Sequence, residues 1–372
     1  MGEPIRVLHV LGNLNIGGAE SRIMDLYRNC DKSKLQFDFA IHTAAHTCYE
    51  EEVKALGGRI YRLPRFRFWN YFAYKRAWKR LFLQHPEFRA VHGHMTSTAS
   101  IYLPLAKQAG VPVTIAHARS AGVDRGLKGT LTLFLRRNLK NKTDYCFACS
   151  TLAAEAVFGQ EMTEKGRVKV IPNAIQGELY RFDEEKSMRL RRDLDVEDRF
   201  VMGHVGRFHP CKNHSFLIDI FAAYKELHPK SVLLLLGEGG EMNKMKEKAD
   251  NLGISESVRF LGSRREIQDY YQVFDAFVFP SFYEGMPGSV VEAQAAGVPC
   301  FVSDRVTREV AFTDLVDFLD IDAPASEWVE KIEQRGKIPQ KDCYEELVKA
   351  DFDAAGQAAA LQRFYETGCF EE

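Results

Sequence analysis

No stretch of the chain approaches the ~18 consecutive apolar residues that a membrane-spanning helix needs. Neither sign of charge is in excess: the formal net charge is -1, so the global balance gives no reason to expect a nucleic acid partner. The eight cysteines lack framework spacing, which excludes a disulfide scaffold and fits a reducing, cytoplasmic setting. Cys146 and Cys149 form a C-x-x-C, but YCFACS reads as a strand without a second pair, so buried thiols are expected there. Met1 to Arg6 is too short and polar for a signal peptide, because a strand already begins at Arg6. Low-complexity tracts and the G-x-G-x-x-G fingerprint of dinucleotide sites are missing too. At 372 residues the chain outgrows one ordinary core and suits two domains.

What is present is an alternation of short apolar runs with helical segments. RVLHVLG, FDFAIHT, AVHGH, VPVTIA, DYCFACS and RVKVIPN read as strands of a first set; FVMGHVG, SVLLLLGEGG, VRFLG, FVFP and CFVS read as a second. Such runs, separated by helices, spell an α/β chain with parallel sheets. The polar, irregular NAIQGELYRFDEEK between the sets is the candidate connection, dividing a domain of about 1–175 from one beginning at 176.

The densest stretch is Phe274–Asp304: strand FVFP, turn SFYEGMPG, helix SVVEAQAA ending at Gly297, then strand CFVS. Loops at the carboxyl edge of a parallel sheet are where such folds bind ligands. The helix start offers the amides of Gly288, Ser289 and Val290, expected to be unpaired and to attract an anion such as phosphate. Glu284 precedes that start and Glu292 lies one turn inside the helix. Carboxylates beside a phosphate site are costly unless hydroxyl groups donate to them, so the stretch suggests a sugar nucleotide. Upstream, Arg207 and Lys212 lie in a strand-to-helix loop, the fork and the point charge that suit a diphosphate. Gly17 and Gly18 mark a further glycine-rich turn, equally compatible with phosphate approach or a plain tight turn.

Tyr61–Arg80 stands apart. It carries Arg62, Arg65, Arg67, Lys75, Arg76, Lys79 and Arg80 among Phe66, Phe68, Trp69, Tyr71, Phe72, Tyr74 and Trp78, without an acidic residue. An anionic membrane surface or a lipid-phosphate acceptor fits this pattern, and so does a solvated helix with its aromatics turned inward. His117 and Arg119 follow the strand Val113–Ala116, where they would be available to a ligand. His92 and His94 could resemble a metal pair, but alternate residues at one strand end seldom close a site without further ligands. Arg119, Arg125, Lys128, Arg136 and Arg137 form a second basic neighbourhood.

NIGGAE, IAHARS, IPNAI, GRFHPCKN, LLGEGG, VRFLG and PSFYEGMPGSVVEAQAAGVPC, in that order, resemble glycosyltransferase family 4, in particular its bacterial capsular and exopolysaccharide branch. The resemblance implies a GT-B fold of two Rossmann-like domains facing a cleft, with the C-terminal helix (about 348–372) packing back on the first domain and 176–347 forming the donor domain. It implies retaining transfer of a hexosyl or N-acetylhexosaminyl group from a nucleotide sugar, a UDP-sugar in the first place, without metal or other cofactor. Arg207 and Lys212 would hold the donor diphosphate with Gly288, Ser289 and Val290. Glu292 would bind ribose, Glu284 would touch the donor sugar, and Phe260 and Leu261 would lie at the base. His117 would stand beside the donor sugar, and Gly17-Gly18 would face the phosphates. The acceptor would be a saccharide or polyprenyl-diphosphate-linked saccharide, met on the cytoplasmic face of the membrane through Arg62, Arg65, Arg67, Trp69, Lys75 and Arg76. A sugar-nucleotide 2-epimerase on the same fold and a non-catalytic subunit of a transferase complex are the alternatives.

Overall fold

The computed structural model describes residues 3–120, 122, 127–264 and 266–370, without the side chains of 127 and 128. The chain divides into two compact units: residues up to Ala174 together with those from Asp353 on, and Ile175–Phe352.

The first unit is built on a seven-stranded parallel sheet: β1 (Ile5–Leu11), β2 (Leu35–Ile41), β3 (Ile60–Arg62), β4 (Phe88–Gly93), β5 (Val113–Ala118), β6 (Tyr145–Ala148) and β7 (Val168–Val170). Their order in space is β3-β2-β1-β4-β5-β6-β7. The second unit holds β8 (Val201–Val205), β9 (Val232–Leu236), β10 (Val258–Gly262), β11 (Ala276–Phe279), β12 (Cys300–Ser303) and β13 (Val316–Leu319), ordered β10-β9-β8-β11-β12-β13. Both sheets reverse direction once, between β1 and β4 and between β8 and β11. In doubly wound sheets that switch point, at the carboxyl ends of the strands, is where a crevice for a ligand opens.

Side chains explain the elements. The central strands are covered on both faces and therefore carry unbroken apolar runs, as in β9, VLLLL, buried throughout. The helix Gly18–Asn29 buries Ile23, Met24, Leu26 and Tyr27 against the first sheet, and the helix Ala354–Thr367 packs beside it, closing the core with Leu361, Phe364 and Tyr365. In the second unit the helix His214–Leu227 buries Leu217, Ile218, Ile220 and Phe221, and Trp328 joins that core from the helix Ala325–Arg335 packed beside it. Cys146 and Cys149 are buried thiols outside any disulfide; removal from water pushes Cys146 up to about 12.

Candidate functional site

In the second unit the two loops at the switch point come together. After β8 the chain runs through Gly206, Arg207, Phe208 and His209 into a short turn of helix, Pro210–Lys212. Asn213 then takes a left-handed conformation (φ 54°), tolerable for asparagine, and begins the helix His214–Leu227. Gly237, at the end of β9, makes this loop possible. Its φ is 131°, and a Cβ there would stand 2.2 Å from the Gly206 carbonyl oxygen, so only glycine lets the two loop backbones meet. Phe208 is anchored by its amide to the Glu238 carbonyl at 3.0 Å. Arg207 is exposed, and its side chain has no hydrogen-bond or ion-pair partner among the described residues.

The loop after β11 crosses the same place. The Phe282 amide donates to the Cys211 carbonyl at 2.8 Å, and Glu284 forms a bridge with Val306. Glu284 and Lys212 meet directly: Lys212 Nζ lies 2.7 Å from Glu284 Oε1 and 4.5 Å from the centre of the Phe279 ring. The two expected ligand-binding groups thus neutralise each other. The next helix, Gly288–Ala295, starts after Pro287 without a side-chain cap. One expectation is corrected here: the Val290 amide already donates to the Pro287 carbonyl at 3.1 Å, so the first turn closes on itself and the anion-binding amides reduce to Gly288 and Ser289.

Glu292 is 3% exposed, and Tyr271 Oη donates to its Oε2 at 2.8 Å. Sequence reasoning missed Tyr271, which arrives from a separate short helix, Ile267–Tyr271, and has no local signature. Phe260 packs near Phe208, with ring centres 5.9 Å apart, and Leu261 is half-buried beside it in β10. The expected base-reading backbone is partly engaged, since the Gly262 carbonyl accepts from Gly237 at 2.9 Å. Asp-x-Asp triplets, a pattern suited to divalent cations, do occur at Asp193, Asp320 and Asp351, but in turns and at a helix cap: the Asp322 amide donates to Asp320 Oδ1 at 2.9 Å, and Asp353 caps the helix Ala354–Thr367.

In the first unit the switch point is lined by imidazoles. β5 runs to Ala118, two residues past the expected end, so His117 is inside the strand and buried instead of free beyond it. Its Nδ1 is 2.9 Å from His92 Nε2, and His92 Nδ1 is 2.6 Å from Tyr365 Oη. Alongside, His94 Nε2 is 3.0 Å from His9 Nδ1, and Arg119 Nε donates to His94 Nδ1 at 3.2 Å. Arg119 also donates to Asn173 Oδ1 at 2.9 Å. Burial holds the four imidazoles neutral: His92, His94 and His117 lie well below the usual range and His9 falls to about 3, with Arg119 adding to each shift. Donor atoms of His9, His92 and His94 fall within 4.8 Å of one another, the compass of a metal triad. Ligation would require His94 to release Arg119 and would set a second cation beside that guanidinium. His9 was not legible as a third member of the expected pair, because it sits in the middle of an apolar strand.

The Gly17-Gly18 turn starts the helix Gly18–Asn29, but Glu20 Oε2 would be 2.7 Å from a Cβ on Gly17. Glycine leaves room for that carboxylate, and a phosphate there would meet a like charge. In the basic segment, Tyr74 and Trp78 belong to the core, as expected of a solvated helix with its aromatics turned inward, whereas Phe68, Trp69 and Phe72 are 69%, 80% and 81% exposed. Arg65, Arg67, Lys75 and Arg76 make no ion pair among the described residues; Arg67 lies over Trp69 at 5.5 Å and Lys75 over Tyr71 at 5.3 Å. Arg62 differs: it is committed to Glu50 at 2.7 Å and to the Thr43 carbonyl at 2.9 Å. Of the second basic neighbourhood, Arg125 and the Lys128 side chain lie outside the described residues.

Comparison with known proteins adds to this geometry. Residues 17–174 match the family model "Glycosyl transferase 4-like domain" and residues 188–343 match "Glycosyl transferases group 1". The chain is 37% identical over 373 residues, 97% of its own length and 96% of the relative's, to the putative glycosyltransferase EpsF of Bacillus subtilis. The chain belongs to glycosyltransferase family 4. It is also 26% identical, over 60% of its length and 59% of the relative's, to the UDP-Gal:alpha-D-GlcNAc-diphosphoundecaprenol alpha-1,3-galactosyltransferase of Escherichia coli. Among solved structures it is similar to Anabaena Alr3699/HepE in complex with UDP and glucose, at a TM-score of 0.73 and 18% identity over 96% of this chain and 94% of that one. Its two parallel-sheet units are those of the GT-B fold. No helix among the described residues of this glycosyltransferase is long and apolar enough to cross a membrane.

Proposed function

We propose that the protein transfers a hexosyl or N-acetylhexosaminyl group, with retention, from a UDP-sugar to a glycan or lipid-linked saccharide in surface polysaccharide synthesis. The observation that carries this reading is the meeting of Lys212 and Glu284 at the β8/β11 switch point, beside the exposed Arg207 and the Gly288 and Ser289 amides. Departure of a nucleoside diphosphate builds negative charge on its β-phosphate, and fixed cations with oriented amides stabilise that charge, commonly the largest catalytic contribution. Lys212 would turn from Glu284 to the diphosphate, leaving Glu284 to accept from sugar hydroxyls and Glu292 to accept from the ribose. These groups supply the charge that a metal would otherwise bring, so the reaction is proposed to be metal-independent. The relative named for a diphosphoundecaprenol acceptor supports a lipid-linked saccharide.

The test is thermal shift against UDP-, GDP-, ADP- and TDP-sugars, followed by donor hydrolysis. One UDP-sugar is expected to stabilise the protein saturably. Glu292→Ala is expected to weaken its binding about tenfold to hundredfold, from hydrogen bonds to a charged group worth about 1.5–3 kcal/mol. Glu292→Gln, which keeps the Tyr271 contact, would weaken it less. Stabilisation by UDP-sugars that is untouched in both variants would remove Glu292 from the site. An altered sugar released without acceptor would favour the epimerase alternative.

The exposed Phe68, Trp69 and Phe72 with unpaired Arg65, Arg67, Lys75 and Arg76 fit an anionic bilayer surface, where aromatics settle at the headgroups and each cation adds about 1 kcal/mol. The helices Tyr71–Gln84 and Leu127–Arg136 both pack on the helix Thr96–Gln108, and the second exposes Leu133 and Phe134. Sedimentation with phosphatidylglycerol liposomes should bring the protein down at low salt. The four cations changed to Ser should abolish this, and unchanged binding would dismiss the idea.

A further inference from the structure

The imidazoles of the first unit form two hydrogen-bonded rows with a direction. Neutral imidazole has one N–H, so the bond at one nitrogen fixes what the other can do. In the row Arg119–His94–His9 the direction is imposed from outside: a guanidinium can only donate, so His94 Nδ1 accepts and His94 Nε2–H must donate to His9 Nδ1. Burial lowers Arg119 to about 10, which leaves it a cation at neutral pH. In the row Tyr365–His92–His117 two directions are conceivable. If His92 donated to Tyr365, both the phenol hydrogen and the bare His117 Nε2 would be left unpaired. If Tyr365 donates, the single unpaired group is an N–H on His117. Both rows end on a buried nitrogen without a partner among the described residues: Nε2 of His9 and Nε2 of His117.

We propose that Tyr365 and Arg119 are positioning residues that set these tautomers, so that the orphaned His117 Nε2 offers an N–H to a ligand oxygen at the first unit's switch point, as a hydrogen-bond donor and not as a base. This rests on the transferase reading above. It gives the C-terminal helix a part in the chemistry, because Tyr365 is carried on Ala354–Thr367. It also removes His117 from the candidates for a general base.

The experiment is long-range ¹H–¹⁵N correlation on the full-length protein labelled at histidine, with each of the four signals assigned by substitution. In the wild type His117 and His9 should both show the Nε2–H form. Tyr365→Phe, which keeps the ring, should turn His92 and His117 into tautomer mixtures while His94 and His9 stay as they were. Arg119→Met should do the reverse. That crossed pattern does not arise from general loosening. Tyr365→Phe should also lower kcat about tenfold with donor KM within about twofold, the effect of an outer partner on an imidazole it orients. A wild-type His117 in the Nδ1–H or cationic form, or rows indifferent to both substitutions, would overturn the proposal. Stoichiometric Zn²⁺ displacing the Arg119 bond would overturn it in favour of a metal site. The transferase reading fails separately: correct tautomers with no UDP-sugar stabilisation would sink that reading alone, and stabilisation with wrong tautomers would sink only the inference.

Discussion

Lys212→Ala is expected to lower kcat for sugar transfer by about 10²–10³, the usual cost of removing one group aimed at developing negative charge. Two effects act in the same direction. The variant loses the point charge at the proposed β-phosphate position, and it leaves Glu284, whose partner stood 2.7 Å away, as an unpaired carboxylate facing an anion. Donor binding should suffer less than turnover, since Arg207 and the helix-start amides remain. A cycle with Glu284→Gln separates the two contributions: the double variant should recover part of the loss, because no uncompensated carboxylate is left. Steady-state kinetics with the natural donor provides the measurement. Unaltered turnover in Lys212→Ala would mean that the diphosphate lies elsewhere.

Acidification from pH 7 to pH 5 is expected to destabilise the fold by several kcal/mol. Burial holds His9 down to about 3, His204 to about 4 and His214 to about 2, and takes His92, His94 and His117 well below an ordinary imidazole. An unfolded histidine titrates near about 6.5, so below that pH the unfolded chain binds protons that the folded chain refuses. The stabilising contribution is therefore complete above the unfolded pKa and is lost as pH falls through 6.5 toward the depressed folded values. Each imidazole that stays neutral forfeits up to about 2 kcal/mol between pH 7 and 5, by linkage at about 1.4 kcal/mol per pH unit. The window lies above the range where ordinary carboxylates titrate. Urea unfolding at the two pH values tests this, and coincident midpoints would show that these imidazoles become protonated in the native state at little cost.

Local pattern carried most of what was legible. Parallel strands covered on both faces must be apolar along their whole length, and the loops that follow them must hold glycine and polar groups, so β8, β11 and the helix at Gly288 could be read with the candidate ligand-binding residues beside them. Properties made by distant partners could not. His9 looks like one polar residue in an apolar strand until β4 brings His92 beside it in register. Tyr271 and Tyr365 hold Glu292 and His92 from helices far along the chain. Arg62 resembles its basic neighbours in sequence, but Glu50, twelve positions earlier, claims it. The Val290 amide shows a finer limit: a helix start leaves donors open on average, and Pro287 closes one of them here.

The division of the chain has a further consequence. The second unit is an insertion, entered at Ile175 and left at Phe352, with the Ile175 amide bonded to the Phe352 carbonyl at 2.8 Å where the two crossings run side by side. The first unit is therefore discontinuous and is completed by a segment that is made after the second unit. During synthesis its sheet emerges long before Phe364 and Tyr365, which close its core, and those residues follow only after the whole second unit has left the ribosome. The half of the protein that is translated first cannot close its core until the other half has been made.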